Sequence, residues 1–251
     1  MSNARFTPRE AVYSRLKARG KSFNDIRVGK KVLLTWTESW GEKLADELLA
    51  TPAPRTMFTH TFWLRTADNN QGGITVAFAP IGAPGTIMLM EDLIACGAES
   101  FVGVGASGSL DMRHTVGTVL IPETVKVVDE GTSKHYPAQG PPTADTKLRN
   151  ELCTLIKKHG GKTASGDWWT TDGFYREMND DIVSYAKAGI IGVDMETSAM
   201  YQVAKHRNVK VCNTLVVSDE LWAEWNYGIN FEEFRIGVYT MHKSVIEWAK
   251  G

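Results

Sequence analysis

Residues 192–201 read GVDMETSAMY and run from an apolar segment into one with helical periodicity. Met200 and Val203 follow Glu196 by four and seven residues, so Glu196 begins the face that this helix buries. A partly buried carboxylate is costly without partners. Two interpretations stay open at this point. Glu196 or Asp194 complements the positive end of the helix, or Glu196 accepts hydrogen bonds from the hydroxyl groups of a ligand.

The rest of the chain alternates short apolar runs with helical periods, which predicts βα units. We predict a single-domain α/β fold with three layers, α/β/α, around a mixed, largely parallel twisted central sheet. Residues 31–251 are predicted to form this domain, and residues 1–30 a basic helical extension. The predicted strands are 32–35, 74–79, 101–105, 119–127, 190–193 and 211–217, and the predicted helices are 42–49, 86–96, 145–159, 180–188, 196–206 and about 231–248.

Composition argues against several classes of protein. The 251 residues carry a net charge of −1, which gives no electrostatic reason to bind nucleic acid or a membrane. Residues 1–31 are locally basic, and we prefer a solvated helix or a subunit contact to a nucleic-acid arm.

The chain shows neither the apolar core of a signal peptide nor a membrane-length apolar stretch, and its three cysteines suit a reducing compartment, so we expect a cytoplasmic protein. The six histidines lack the spacing of metal ligands, so no metal is expected.

Glycine-rich segments follow two of the predicted strands. They read APIGAPGT at 79–86 and GVGASGSL at 103–110, and we predict both to be loops. Thr86 is a candidate cap for the next helix, whose free N–H groups would suit an anion or a ligand hydroxyl. The alternative is that the glycines only let a strand and a helix pack closely. Neither segment matches the dinucleotide or ATP motifs, which disfavours those ligands.

An acid follows the apolar run 211–217. Asp219 at the mouth of a buried strand is well placed for a raised pKa and proton donation, although an aspartate that caps the next element is a common alternative. Aromatic residues at 168, 169, 174, 175, 222, 225 and 227 are predicted to lie in loops. They indicate a stacking site for a planar ligand, with core or interface packing as the competing interpretation.

Taken in order, these segments resemble the nucleoside phosphorylase and nucleosidase superfamily, from about residue 32 to the C-terminus. The sequence VDMETSA at 193–199 is similar to the family's V-E-M-E ribose-binding signature, with Asp194 in place of the first glutamate. The resemblance implies that Met195 and Glu196 bind ribose. It also implies the family's fold and no cofactor, with phosphate as a co-substrate if the enzyme is a phosphorylase.

The same resemblance assigns the base site. Ser218-Asp219 looks like the S-D of the purine branch, which implies that Asp219 protonates N7 of the leaving base. The sequence TDGFY at 171–175 is similar to the base-pocket segment. It implies that Phe174 stacks on the base, with Thr171 and Ser218 beside it.

The segments that bind phosphate in this family have a different sequence here. The early G-D-P-x-R loop is TESWG at 37–41, and the motif R-[IV]-G-[ST]-x-G reads GVGASG at 103–108, so two phosphate-binding arginines are absent. The remaining predicted phosphate ligands are Gly82, Ser107 and Arg55. The resemblance implies phosphorolysis of a purine nucleoside to free base and ribose 1-phosphate. Alternatives are hydrolysis, with Glu38 as a candidate for positioning water, and non-catalytic nucleoside binding.

Arg55 matches an arginine that a neighbouring subunit lends to the site in this family. We therefore expect a homo-oligomer, a dimer at minimum, with a hexamer built from dimers as the larger alternative. Light scattering should detect no monomer at assay concentrations, and a stable monomer would contradict this role of Arg55.

Overall fold

The fold is α/β, as the sequence predicts. The computed structural model describes residues 4–52, 63–68 and 72–251. The strands are β1 Lys31–Thr35, β2 Thr51–Pro52, β3 Trp63–Ala67, β4 Ile74–Phe78, β5 Ser100–Ser109, β6 Val119–Asp129, β7 Thr163–Thr171, β8 Ile190–Asp194, β9 Lys210–Glu220 and β10 Asn226–Tyr227. The helices are α1 Pro8–Lys17, α2 Glu38–Glu47, α3 Ala83–Ala95, α4 Thr146–Lys158, α5 Asn179–Lys187, α6 Thr197–Arg207 and α7 Glu232–Lys250.

The described strands form one mixed sheet in the order β10-β9-β6-β7-β8-β5-β1-β4-β3-β2. The long ladders are parallel: β1 with β4 and β5, β5 with β9, and β6 with β7. Strand β5 also meets the end of β8 in an antiparallel pairing, so β5, β9, β6, β7 and β8 close a ring. This ring brings the carboxyl ends of β5, β8 and β9 to one place.

Helices on both faces bury the apolar side chains of the sheet. Helix α3 packs against α6 and α1, and α4 packs against α7. Strand β1 shows why the apolar pattern predicts the core, because Val32, Leu33 and Leu34 are all fully buried. Parallel strands covered on both faces are expected to read as continuous apolar runs.

The N-terminal segment contains the expected helix. The Thr7 hydroxyl accepts the backbone N–H of Glu10, and the Glu10 carboxylate accepts the N–H of Thr7, which caps α1 at its start. Val12 and Leu16 are fully buried, and Arg15 pairs with Asp92 of α3 at 2.6 Å. At least one basic residue of this segment, Arg15, therefore helps to hold α1 against α3. The division into an extension and a domain at residues 30 and 31 stays a prediction.

Three local predictions were wrong. Strand β7 was missed because glycine and polar residues interrupt its apolar pattern, and the expected loop residues Trp168 and Trp169 are buried in it. The second glycine-rich segment is not a loop, since β5 continues to Ser109. Helix α3 begins three residues before Thr86, with Gly82 as its N-cap at φ 98°, a conformation that favours glycine.

Two features are absent from residues 4–52, 63–68 and 72–251. No helix there combines the length and the apolar character that a membrane crossing requires. In the same residues, no cluster of three or more His, Cys, Asp or Glu side chains is placed to hold a metal ion.

Acid sensitivity is expected from His242 of α7. Its ring is buried edge-on against Trp40, and neither ring nitrogen has a hydrogen-bond partner among the described residues. Burial, and secondarily the charge of Lys43, lower the pKa of His242 from 6.5 to about 4. The unfolded chain therefore binds this proton more readily, so the stabilisation is complete above about pH 6.5 and is lost as the pH falls towards about 4.

We expect the free energy of unfolding to fall by ~2 kcal/mol between about pH 7.5 and about pH 5 through this residue. His242→Phe should remove that part of the pH dependence in urea denaturation. The exposed His135→Phe is the matched control. An unchanged slope in His242→Phe would contradict the assignment.

Candidate active site

A cavity of about 330 Å³ lies at the carboxyl ends of β1, β5 and β9. Ligands of open α/β sheets bind at such strand ends. Its lining comes from segments far apart in the chain, which only the sheet brings together. The predicted site residues that line it are Ser107, Phe174, Met195, Glu196, Ser218 and Asp219.

The junction between β8 and α6 is held by the buried side chain of Asp194. One carboxylate oxygen accepts the indole N–H of Trp168 and the hydroxyl of Thr170, each at 2.9 Å. The other accepts the backbone N–H of Thr197 at 3.0 Å and its hydroxyl at 2.6 Å. Burial raises the pKa of Asp194, and the four hydrogen bonds act in the opposite direction. This residue is therefore the one that complements the start of α6.

Glu196 is the N-cap residue of α6, but its side chain does not cap the helix. Instead, its carboxylate accepts the backbone N–H of Gly82 at 2.6 Å, across the cavity from the start of α3. Burial raises the pKa of Glu196, and the nearby charge of Asp194 raises it further. Of the two interpretations of this segment, the structure therefore assigns the helix to Asp194 and leaves Glu196 facing the cavity.

Asp219 owes its position to an irregularity in β9. The register between β5 and β9 shifts at Ser107 and Gly108, so that Ser218 is left without a partner in the ladder. Such bulges re-aim the neighbouring side chain. The Ser218 hydroxyl donates to one oxygen of Asp219 at 2.7 Å, and the indole N–H of Trp225 donates to the other at 3.0 Å. Both oxygens of Asp219 are thus held as acceptors at the cavity wall.

Aromatic side chains surround the cavity mouth. Phe174, which follows β7 in a short 3-10 turn, is 53% exposed and lines the cavity together with Trp225 and Tyr227. A half-exposed ring at a cavity mouth is available to stack on a planar ligand. Of the aromatic residues expected in loops, Phe174 and Trp225 lie outside the α-helices and strands, whereas Tyr227 lies in β10 and Trp168 and Trp169 lie in β7.

Trp36 contributes an indole ring to the cavity lining, a feature that the sequence analysis missed. A side-chain carbon at Gly103 or Gly105 would lie 3.1 or 2.9 Å from the Trp36 ring, so both glycines leave room for it. The indole N–H donates to the Thr86 hydroxyl at 2.8 Å. The position that matches the arginine of the family motif is therefore Gly103, where a side-chain carbon would contact both Asn213 and the Trp36 ring.

Only some of the residues predicted to bind phosphate or the base lie at the cavity. The Ser107 hydroxyl is buried at the cavity and has no hydrogen-bond partner among the described residues. The Gly82 N–H is already engaged by Glu196, and Arg55 lies outside the described residues. Thr171 is buried beyond the cavity lining, where its hydroxyl accepts the N–H of Gly173 at 3.0 Å.

Glu177 is a cavity residue that sequence reasoning did not identify. It is half-buried, and burial, followed by the charge of Asp219, raises its pKa to about 7. Its one sequence signal was its position after the aromatic segment 171–175, which does not distinguish it from the neighbouring acids.

Comparison with known proteins establishes the family. A sequence model of the Phosphorylase superfamily matches residues 38–238, so the chain belongs to this superfamily. Guanosine phosphorylase of Halorubrum lacusprofundi is 24% identical over 151 residues, which are 60% of this chain and 62% of that protein. DeoD-type purine nucleoside phosphorylase of Roseobacter denitrificans is 27% identical over 150 residues, which are 59% and 64%. The chain thus spans less than two thirds of the length of these relatives.

Solved structures share the whole fold. Purine nucleoside phosphorylase from Toxoplasma gondii, in complex with immucillin-H, has a TM-score of 0.79 at 23% identity, over 89% of this chain and 91% of that one. Uridine phosphorylase from Vibrio fischeri has a TM-score of 0.74 at 24% identity, over 90% and 94%. These likenesses confirm the predicted fold.

The Asp194 network should be essential for stability. In Asp194→Asn an amide N–H₂ group replaces one acceptor oxygen and faces donors, so we expect the free energy of unfolding in urea to fall by about 2 kcal/mol. The control is Asp167→Asn on β7, whose carboxylate lies 3.9 Å from Lys126 at the surface. That variant should change stability by less than about 0.5 kcal/mol. Equal effects of the two substitutions would show that the network is not required.

Proposed function

We propose that this protein cleaves the N-glycosidic bond of a purine nucleoside by phosphorolysis, with free base and ribose 1-phosphate as products. The observation that carries the proposal is the presence of Asp219 and Glu196 in one cavity, beside an exposed aromatic ring. Membership of the Phosphorylase superfamily and the names of the relatives support the reaction class.

The chemistry fits these residues. Glycosidic cleavage builds positive charge on the sugar and negative charge on the leaving base. The Glu196 carboxyl group, held in place in advance by the Gly82 N–H, would bind the ribose hydroxyls as the sugar becomes positively charged. Asp219 would give a proton to the base, and Phe174 would stack on it. The proposal assigns Met195 to the ribose and Ser218 to the positioning of Asp219, whose oxygen it already contacts.

Water as the acceptor is the second candidate, because of one specific observation. No lysine or arginine is among the described residues that line the cavity, and the Trp36 ring covers Gly103 and Gly105. A phosphate dianion usually requires bidentate guanidinium or several N–H donors. Phosphorolysis would therefore depend on the Ser107 hydroxyl, on Arg55 and on displacement of Glu196 from the Gly82 N–H.

The first assay uses inosine, guanosine, adenosine and methylthioadenosine, with and without phosphate. Free base with ribose 1-phosphate only in the presence of phosphate supports phosphorolysis, and free base with ribose at a rate independent of phosphate supports hydrolysis. Asp219→Asn should lower kcat by ~10²–10⁴-fold. The exposed Asp180→Asn on α5 is the matched control and should retain full activity.

A substrate with a leaving group that needs no proton separates catalysis from folding. Asp219→Asn should cleave 4-nitrophenyl riboside nearly as fast as the unaltered protein, because the acid is then dispensable. Failure to cleave any nucleoside, pyrimidine nucleosides included, would replace the proposal with a binding role.

A further inference from the structure

Glu177 is the cavity acid for which the proposed reaction has so far no role. It follows the short 3-10 turn Phe174–Arg176 and lines the same cavity as Asp219. In the described part of the chain, no donor is hydrogen-bonded to its carboxyl group. The other cavity acids differ in this respect, because Asp194, Glu196 and Asp219 all accept hydrogen bonds. Glu177 is thus a half-buried carboxyl group on the lining of a ligand-sized cavity, with no hydrogen-bond partner among the described residues.

Among the described residues that line the cavity, none carries a positive charge that could stabilise the ionised form of Glu177. The described lining residues contribute the acids Asp194, Glu196 and Asp219 and the phenol of Tyr227, but no cation. On its own segment, Arg176 is exposed, and the first turn of α5 carries the exposed Asp180 and the half-buried Asp181. Burial and the charge of Asp219 raise the pKa of Glu177 to about 7. Close to neutral pH, Glu177 therefore holds a proton for part of the time.

Asp219 can act as an acid only if a neighbouring group supplies it with a proton. Its two oxygens accept the hydroxyl of Ser218 and the indole N–H of Trp225, so both act as hydrogen-bond acceptors in this arrangement. To act as an acid, Asp219 must first receive a proton from a neighbouring group, and Glu177 is the cavity acid whose ionisation responds to the Asp219 charge.

We propose that Glu177 and Asp219 form a proton-sharing pair, in which Glu177 holds the proton that Asp219 delivers to the leaving base. When substrate binds, the proton moves from Glu177 to Asp219. Asp219 donates it to the base as the C–N bond breaks and its electron pair passes to the base. The sugar carbon bonds to an oxygen of the acceptor; if that acceptor is water, its surplus proton leaves to solvent. Glu177 then regains a proton from solvent.

This inference rests on the proposed cleavage, and it makes Glu177 a positioning residue that acts through Asp219. The test is the pH profile of kcat/KM, which reports the ionisation of the free enzyme. For the unaltered protein, kcat/KM for the best purine nucleoside should decline as the pH rises through about 7, since Glu177 then loses its proton.

Glu177→Gln keeps the size of the side chain but cannot release a proton. We expect a loss of at least ~10-fold in kcat/KM at about pH 6.5, and no decline between about pH 6.5 and about pH 8. Activity on 4-nitrophenyl riboside should be retained. The matched control is Glu224→Gln, an exposed glutamate beside Trp225, which should keep the unaltered profile. A Glu177→Gln profile identical to that of the unaltered protein would overturn the proposal.

A second measurement does not depend on turnover. With ¹³C-labelled glutamate, the carboxyl resonance that disappears in Glu177→Gln should titrate near pH 7 in the unaltered protein, and at lower pH in Asp219→Asn. A titration that Asp219→Asn leaves unmoved would also overturn the pair. If no nucleoside is cleaved but the resonance shifts as expected, the proposed function fails while the coupling between the two acids stands.

Discussion

The buried carboxylate of Asp194 is the interaction on which the site depends. It accepts hydrogen bonds from Trp168 and Thr170 of β7 and from the first residue of α6, Thr197. Thr197 in turn accepts the side-chain amide of Asn213 in β9 at 2.8 Å. One charged group therefore joins three strands and a helix at a single point. Glycine at 192 is part of this arrangement, because a side-chain carbon there would lie 2.5 Å from the Trp168 ring.

Because of the Asp194 network, two different acids cap helix α6 and line the cavity. Since Asp194 satisfies the first turn of α6, Glu196 is free to point into the cavity, where the Gly82 N–H receives it. Asp219 stands on the bulge of β9, and Glu177 approaches from the turn after β7. In the proposed reaction, these crowded carboxyl groups would lie near a sugar that becomes positively charged, and Glu196 is held in place in advance by the Gly82 N–H. The same crowding opposes an anionic acceptor, and Trp36 adds an apolar floor.

The order of apolar runs and helical periods in the sequence determined the class of fold. Both faces of the sheet are covered, so its strands are continuously apolar and can be recognised without a structure. Strand β7 could not be recognised, because Gly166 and Asp167 interrupt its pattern and its burial comes from pairing with β6 and β8. The glycines of β5 indicate a loop by their composition, yet they serve the close approach of Trp36.

Local sequence also predicted that Glu196, Asp219 and Phe174 share one site, because each lies in a recognisable motif, and all three line the cavity. Tertiary structure alone decided how their side chains are placed. The hydrogen bond from Gly82 joins residues 114 positions apart, and the Asp219 side chain is directed by a shift in strand register. The pKa of Glu177 is raised by burial and by the charge of Asp219 on β9. A pattern along the chain describes neighbours in sequence, whereas register, burial and charge depend on neighbours that only the folded sheet supplies.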